Sequence, residues 1–237
     1  MGVPQQHDSE EPLSARLRAV SFGGHGGASW TGGEGEPVEP RFATAYMRGG
    51  LNREGIAAQA AQHFLMYEAL ESATEAHRAR IGEGFAFWLP ELHRLPSLVA
   101  DLRHWIGDDW EPAVRERFNT PGIAAYVDRL NAVAPASLPR FVAHHYTRYL
   151  ADLSGGQMIA RAFKRNYAIE ADEGVRFYAF AGIADPKAYK AGYRELLDGA
   201  GFSAAEQDEI AEEVALAYDL NNRAAADLDR RFEEYSA

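Results

Sequence analysis

With 237 residues, 46% of them hydrophobic, and a formal charge of −11, the chain can bury one sizeable core. The acidic balance excludes general nucleic-acid binding, which needs a basic face to displace counterions, and docking on anionic membranes. The absence of cysteine excludes disulfides, thiolate nucleophiles and cysteine-held metals, and no apolar run reaches the ~20 residues of a membrane span.

Ala, Leu, Glu and Arg dominate, and nothing alternates as a half-buried strand would, so the chain reads as all-α and single-domain. Residues 1–11 lack the basic and apolar regions of a signal peptide and read as a disordered tail before one domain over 12–237, in a cytoplasmic protein. Pro12 and Ser14 open a first helix with Leu13, Leu17 and Val20 at helical spacing. Six glycines follow between positions 23 and 33, with Gly35, Pro37 and Pro40 beyond. Each Gly costs a helix ~1 kcal/mol relative to Ala, so a flexible loop is expected over about 23–40.

Residues 41–48 predict a short helix, and Asn52 caps a long one whose Ile56, Ala60, His63, Phe64, Tyr67, Leu70 and Glu71 step at three and four. Further helical sequence runs from Pro90 to Trp105, from Trp110 to Phe118, and from Pro121 to Val133. Leu138 opens the longest helical stretch, 138–167. A loop around Gly174 and Gly182 leads to a helix over 186–198, and Ser203 with Glu206 forms a capping box for a last helix, 203–235.

The sharpest chemical feature is YTRYLADLSGGQMIARAFKRNY, residues 146–167. Its helical period is interrupted by Gly155 and Gly156, which let a backbone lie directly against a flat ligand or another helix. Asp152, three residues earlier on about the same face, would overhang whatever the glycines touch. Taken alone, the fragment fits equally a glycine-mediated helix crossing with Asp152 in a surface ion pair.

YTRYLADLSGGQ resembles the distal-helix signature of the haem oxygenase family, YTRYLGDLSGGQ, and departs from it only at Ala151. YEALE at 67–71, LPELHRLPSLVADLRHWIGDDW at 89–110, YVDRLNAV at 126–133 and AYDLNN at 217–222 extend the resemblance. It implies an all-α fold with haem sandwiched between a proximal and a distal helix. The implied oxidoreductase opens haem with dioxygen and electrons to biliverdin, ferrous iron and carbon monoxide, drawing on a ferredoxin or an NADPH-dependent reductase.

The resemblance places the iron ligand at His25, where a neutral imidazole leaves the opposite face open for oxygen. It makes Asp152 the acid that feeds protons through water, with Tyr67, Tyr126, Tyr146, Arg148 and Asn221 completing the polar network. Ala151, Ser154, Gly155 and Gly156 fall on the distal face, and Arg18, Lys190 and Arg194 take the propionates. His144 matches a structural position, His145 is expected to face outward, and the remaining histidines to be packed or solvated.

Several departures surround the iron. His25 lies between glycine pairs, Ser29 stands where the family has a carboxylate, Phe22 replaces a basic residue, and residues 30–41 include an insertion. Ala151 adds a methyl group near the oxygen site. GGHGG also reads as a loop with an incidental histidine, and a non-catalytic haem-buffering protein on the same scaffold is the alternative function. A di-iron carboxylate site would need Glu-x-x-His on each of two helices, which this sequence lacks.

Overall fold

The computed structural model describes residues 11–26, 40–169 and 171–237, with residues 22–26 described by backbone alone. The helices are α1 (Leu13–Gly26), α2 (Arg41–Arg48), α3 (Arg53–Ile81), α4 (Leu95–Trp105), α5 (Trp110–Arg117), α6 (Pro121–Val133), α7 (Leu138–Asn166), α8 (Pro186–Asp198), α9 (Ala204–Arg230) and α10 (Phe232–Tyr235). Tight 3-10 turns lie at Pro90–Leu92 and Arg176–Tyr178. Among the described residues the only extended pairing is an isolated bridge between Leu51 and Ser236, so the fold is all-α, as composition predicts.

Local chemistry sets the helix starts. Asn52 accepts from Gly55 N at 3.0 Å, Ser137 from Arg140 N at 3.3 Å, and Asp185 from Lys187 N and Ala188 N at 2.9 and 3.0 Å. Ser203 and Glu206 form the expected reciprocal box at the start of α9. Two ends differ from expectation. α1 continues to Gly26, so the first residues of the glycine-rich stretch are helical. Leu13 and Leu17 are buried and Ser14 is bonded twice to Asp198, at 2.8 and 2.7 Å. That anchoring meets the cost of nucleation, after which propagation tolerates glycine. The last helix breaks at Arg231, because Tyr235 O takes Asn52 N at 2.8 Å and Gly50 O takes Ala237 N at 3.0 Å, drawing the chain end onto the α2–α3 turn.

The core sits where α3, α7 and α9 pack, with α6 wedged against α3 and α9 and α1 lying along α9. α6 approaches α9 so closely that a Cβ on Gly122 would stand 2.6 Å from the Arg223 carbonyl oxygen. Glu213 of α9 ties two neighbours at once, accepting from Arg129 at 2.9 and 2.6 Å and pairing with His144 Nε2 at 3.0 Å. Burial pushes its carboxyl up, but those partners outweigh burial and bring it down to about 2.

Glu71 is the opposite case. It accepts from Arg94 N at 2.5 Å and Leu95 N at 3.2 Å, pinning the start of α4 to α3. Burial nevertheless outweighs these bonds and raises its pKa from 4.5 to about 7. A carboxyl raised on folding binds more protons in the native than in the unfolded state between those values, so its contribution falls as pH rises from about 4.5 to about 7. A rise of that size corresponds to about 3 kcal/mol. Glu71→Gln is therefore expected to gain on the wild type across this window and to be the more stable protein at pH ~8. Urea unfolding at three pH values checks this; parallel wild-type and variant profiles would refute it.

Candidate functional site

A cleft of about 780 Å³ opens between α1 and α7, within the range of small-molecule sites. Ser14, Ala15, Arg18 and Ser21 line it from α1, and Tyr146, Thr147, Leu150, Ala151, Ser154 and Gly155 from α7. Both sets recur at three and four residues, so two helix faces form the walls of a slot. Arg194 of α8 and Tyr218 of α9 close its sides.

The two glycines of α7 do different work. A Cβ on Gly155 would meet only Ile159 Cδ1 at 3.6 Å, an ordinary contact, so this glycine bares the backbone to the cleft. A Cβ on Gly156 would stand 3.1 Å from the Tyr178 carbonyl oxygen. Gly156 therefore admits the Arg176–Tyr178 turn on the far side of α7, and its expected place on the ligand face is corrected. That turn is held by Asp101, which accepts from Arg176 N and Phe177 N at 2.9 and 2.8 Å.

Beside Ala151, Asp152 is held through a single oxygen. Its Oδ2 accepts from the Tyr67 hydroxyl and from Arg148 Nη2, the latter at 3.2 Å, while Arg148 Nη1 donates to Asn221 Oδ1 at 2.8 Å. No described residue bonds Asp152 Oδ1, and the side chain keeps 14% exposure; Asp152 does not itself line the cleft but directly follows Ala151, which does. Burial opposes the charge on Arg148, but Asp152 and the neighbouring tyrosines outweigh burial and keep its pKa above the ordinary value. Arg148 Nε is buried and has no acceptor among the described residues. Burial, and then the Asp152 charge, keep Tyr67 protonated. Tyr126 packs against His144 and also feels Arg148 and Asp152.

At the open end, Lys190 Nζ donates to Ser154 Oγ at 3.0 Å and Arg194 Nη1 to Lys190 O at 3.4 Å. Burial, and then the Arg194 charge, lower the Lys190 pKa. Neither cation has a carboxylate partner among the described ion pairs, which suits an anionic ligand edge there.

Most residues expected from sequence thus converge on one place. Asp152, Arg148, Tyr67 and Asn221 share a bonded network, Tyr126 adjoins it, and Arg18, Tyr146, Ala151, Ser154, Gly155 and Arg194 line the cleft with Lys190 at its rim. Position 25 lies in the last turn of α1, but the His25 and Phe22 side chains, Ser29 and the insertion lie outside the described residues. His145 does not face outward: it is buried, with Nδ1 2.8 Å from the Tyr193 hydroxyl, and burial lowers its pKa to about 3. Sequence reasoning missed Ser14, Ala15, Ser21, Thr147, Leu150 and Tyr218. Thr147 lies four residues before Ala151 and Leu150 four after Tyr146, and Ser14 and Ser21 lie four before and three after Arg18, so these were findable by period; Tyr218 depends on where α9 crosses.

The chain matches the family model described as "Heme oxygenase" over residues 39–227, a span that begins after α1. It is 33% identical over 191 residues to "Heme oxygenase 2" of Synechocystis, covering 79% of this chain and 75% of that one. It is 30% identical over 192 residues to "Heme oxygenase" of Rhodella violacea, covering 81% and 80%. Its fold is similar to the crystal structure of heme oxygenase-1 from Synechocystis in complex with heme, with a TM-score of 0.79, 27% identity and coverage of 94% and 95%. The structure of heme oxygenase-2 from the same organism with heme and NO gives 0.79, 30% identity, and coverage of 92% and 85%.

Proposed function

The chain belongs to the haem oxygenase family, and from that premise we propose that it binds haem in the cleft between α1 and α7 and degrades it there. Dioxygen and reducing electrons would open the ring to biliverdin, ferrous iron and carbon monoxide. A ferredoxin or an NADPH-dependent reductase would supply the electrons, in the cytoplasm. The observation that carries this reading is Asp152, fixed by Tyr67 and Arg148 through one oxygen and bonded by no described residue at the other.

The residues present fit haem as substrate. Gly155 gives a flat floor, Leu150 and Ala151 an apolar wall, and Arg18, Lys190 and Arg194 the cations for two propionates. Ser14, Arg18 and Ser21 line the cleft at steps of four and three, and a further step of four reaches position 25 on α1. That register supports His25 as the iron ligand. Haem itself supplies the iron and the ring edge that is oxidised. Asp152 holds a water from which a proton reaches the reduced oxygen; Arg148, itself bonded to Asn221, orients the carboxylate, and Tyr67 fixes its rotamer.

Ala151 favours the haem-buffering alternative, since its methyl lines the cleft beside Asp152. Adding haemin and then a reductant to the purified protein separates the two readings. A Soret band followed by a growing biliverdin band supports degradation, whereas a Soret band that persists under reductant and oxygen supports buffering.

The propionate assignment predicts a graded effect. Partly exposed ion pairs contribute roughly 0.2–1 kcal/mol each, so one charge removal is nearly silent. The double reversal Lys190→Glu with Arg194→Glu should weaken haemin binding several-fold in a Soret titration. Unchanged affinity would remove both residues from the site.

A further inference from the structure

We propose that this chain carries an exit for oxidising equivalents: four tyrosines, Tyr67, Tyr149, Tyr193 and Tyr189, each with its hydroxyl against its own base, leading from Asp152, the neighbour of cleft-lining Ala151, to the surface of α8. The proposal rests on the haem reading, because haem is where the oxidising equivalents would arise.

Ring contacts are continuous from Tyr67 to Tyr193. The Tyr67 and Tyr149 ring centroids are 5.2 Å apart, and the His145 ring lies 4.6 Å from Tyr149. His145 then stacks on Tyr193 at 5.6 Å with planes 9° apart. Tyr189 sits one helical turn before Tyr193 on α8 and is half-buried, whereas Tyr67, Tyr149, His145 and Tyr193 are all buried.

The bases distinguish this line from ordinary aromatic packing. A phenol that loses an electron becomes a strong acid, so its oxidation is easy only where a base can take the proton in place. Tyr67 donates to Asp152 Oδ2, and the Tyr149 hydroxyl stands 3.5 Å from Glu71 Oε1. The Tyr193 hydroxyl is 2.8 Å from His145 Nδ1, which accepts when the neutral ring carries its hydrogen on Nε2. Tyr189 donates to Glu91 Oε1 at 2.7 Å. Not every nearby tyrosine has such a base: Tyr46 and Tyr178 bond each other's hydroxyls, at 2.7 Å, and Tyr146 bonds the hydroxyl of Ser21, whereas Tyr126 stands 3.5 Å from His144 Nδ1 but lies off this line.

Peroxide is the oxidant, acting on bound haem. Tyr67 gives one electron to the peroxide-oxidised haem and its phenolic proton to Asp152. Tyr149 then gives one electron to the Tyr67 radical, Asp152 returns its proton to Tyr67, and the Tyr149 proton passes to Glu71. The same exchange moves the radical to Tyr193, with its proton on His145, and to Tyr189, with its proton on Glu91. A thiol or ascorbate in solution supplies one electron at Tyr189, and Glu91 returns the proton. Along the line itself no bond between heavy atoms forms or breaks; the bond broken is the oxygen–oxygen bond of peroxide, whose reduction to two waters takes two electrons and two protons from the dissolved donor, so two passes return haem and line to their starting state.

The test treats the haem-loaded full chain with hydrogen peroxide and a nitroso spin trap, locates the adduct by peptide mass spectrometry, and follows freeze-quenched samples by electron paramagnetic resonance. The wild type should show a tyrosyl signal and an adduct at Tyr189. Tyr149→Phe, which keeps the ring but loses the proton, should lower that adduct several-fold with an unchanged Soret band. Glu71→Gln, which keeps Tyr149 but removes its base, should do the same and serves if Tyr149→Phe does not fold. A packing role would leave the adduct unmoved in Glu71→Gln. An undiminished Tyr189 adduct in either variant, or no adduct on any of the four tyrosines in the wild type, overturns the proposal while leaving the haem reading intact. Failure of haemin to give a Soret band overturns both.

Discussion

His25→Ala is expected to lose the histidine-ligated haem spectrum, with its helical circular dichroism unchanged. Among the described residues no histidine lines the cleft between α1 and α7. His63 packs on Phe177 at 4.5 Å, His77 pairs with Ala134 O at 2.7 Å, and His144 and His145 are committed to Glu213 and Tyr193. The fold should survive because α1 is anchored upstream, through Leu13, Leu17 and the Ser14–Asp198 bonds, and the substitution removes a glycine-flanked side chain. Alanine also has the higher helix propensity. Added imidazole should restore the ligated spectrum by entering the vacated space, a response that a purely structural histidine would not give. A wild-type spectrum in His25→Ala would show that the iron is held from another position.

What the sequence made legible follows from how locally each feature is determined. The starts of α3, α7, α8 and α9 were readable because a cap is a contact between residues two or three apart. The distal face of α7 was readable for a similar reason: Tyr146, Ala151, Ser154 and Gly155 share one side of a single helix. The split between Gly155 and Gly156 was not, since it depends on the Arg176–Tyr178 turn, which Asp101 holds from α4 through two backbone bonds. His145 was misplaced because its partner, Tyr193, arrives from α8, 48 residues away. The extension of α1 to Gly26 ran against propensity, and tertiary anchoring at its first turns decided it.

Asp152→Asn is expected to bind haem with near-normal affinity and to lose most biliverdin formation. The side chain flanks the cleft and acts through water, so haem affinity, set by the walls, the cations and the iron ligand, should hardly change. The proton supply should fail, because an amide neither ionises nor relays a proton at this pH. A positioned acid–base group contributes roughly 10²–10⁴-fold, or about 3–5 kcal/mol of barrier, so the loss should be large. The network also says which substitution is the cleaner one. Asp152→Ala leaves the buried Arg148 without its carboxylate partner, and stranding a buried charge costs about 3–5 kcal/mol of stability. Asn keeps an oxygen in place for Tyr67 and Arg148, so its melting temperature should lie between those of Asp152→Ala and the wild type. Lost turnover in both variants, with stability lost chiefly in Ala, separates proton delivery from support of Arg148. If Asp152→Asn instead turns over at the wild-type rate with a normal Soret band, Asp152 serves only as the counter-charge of Arg148, and the proton reaches dioxygen by another route.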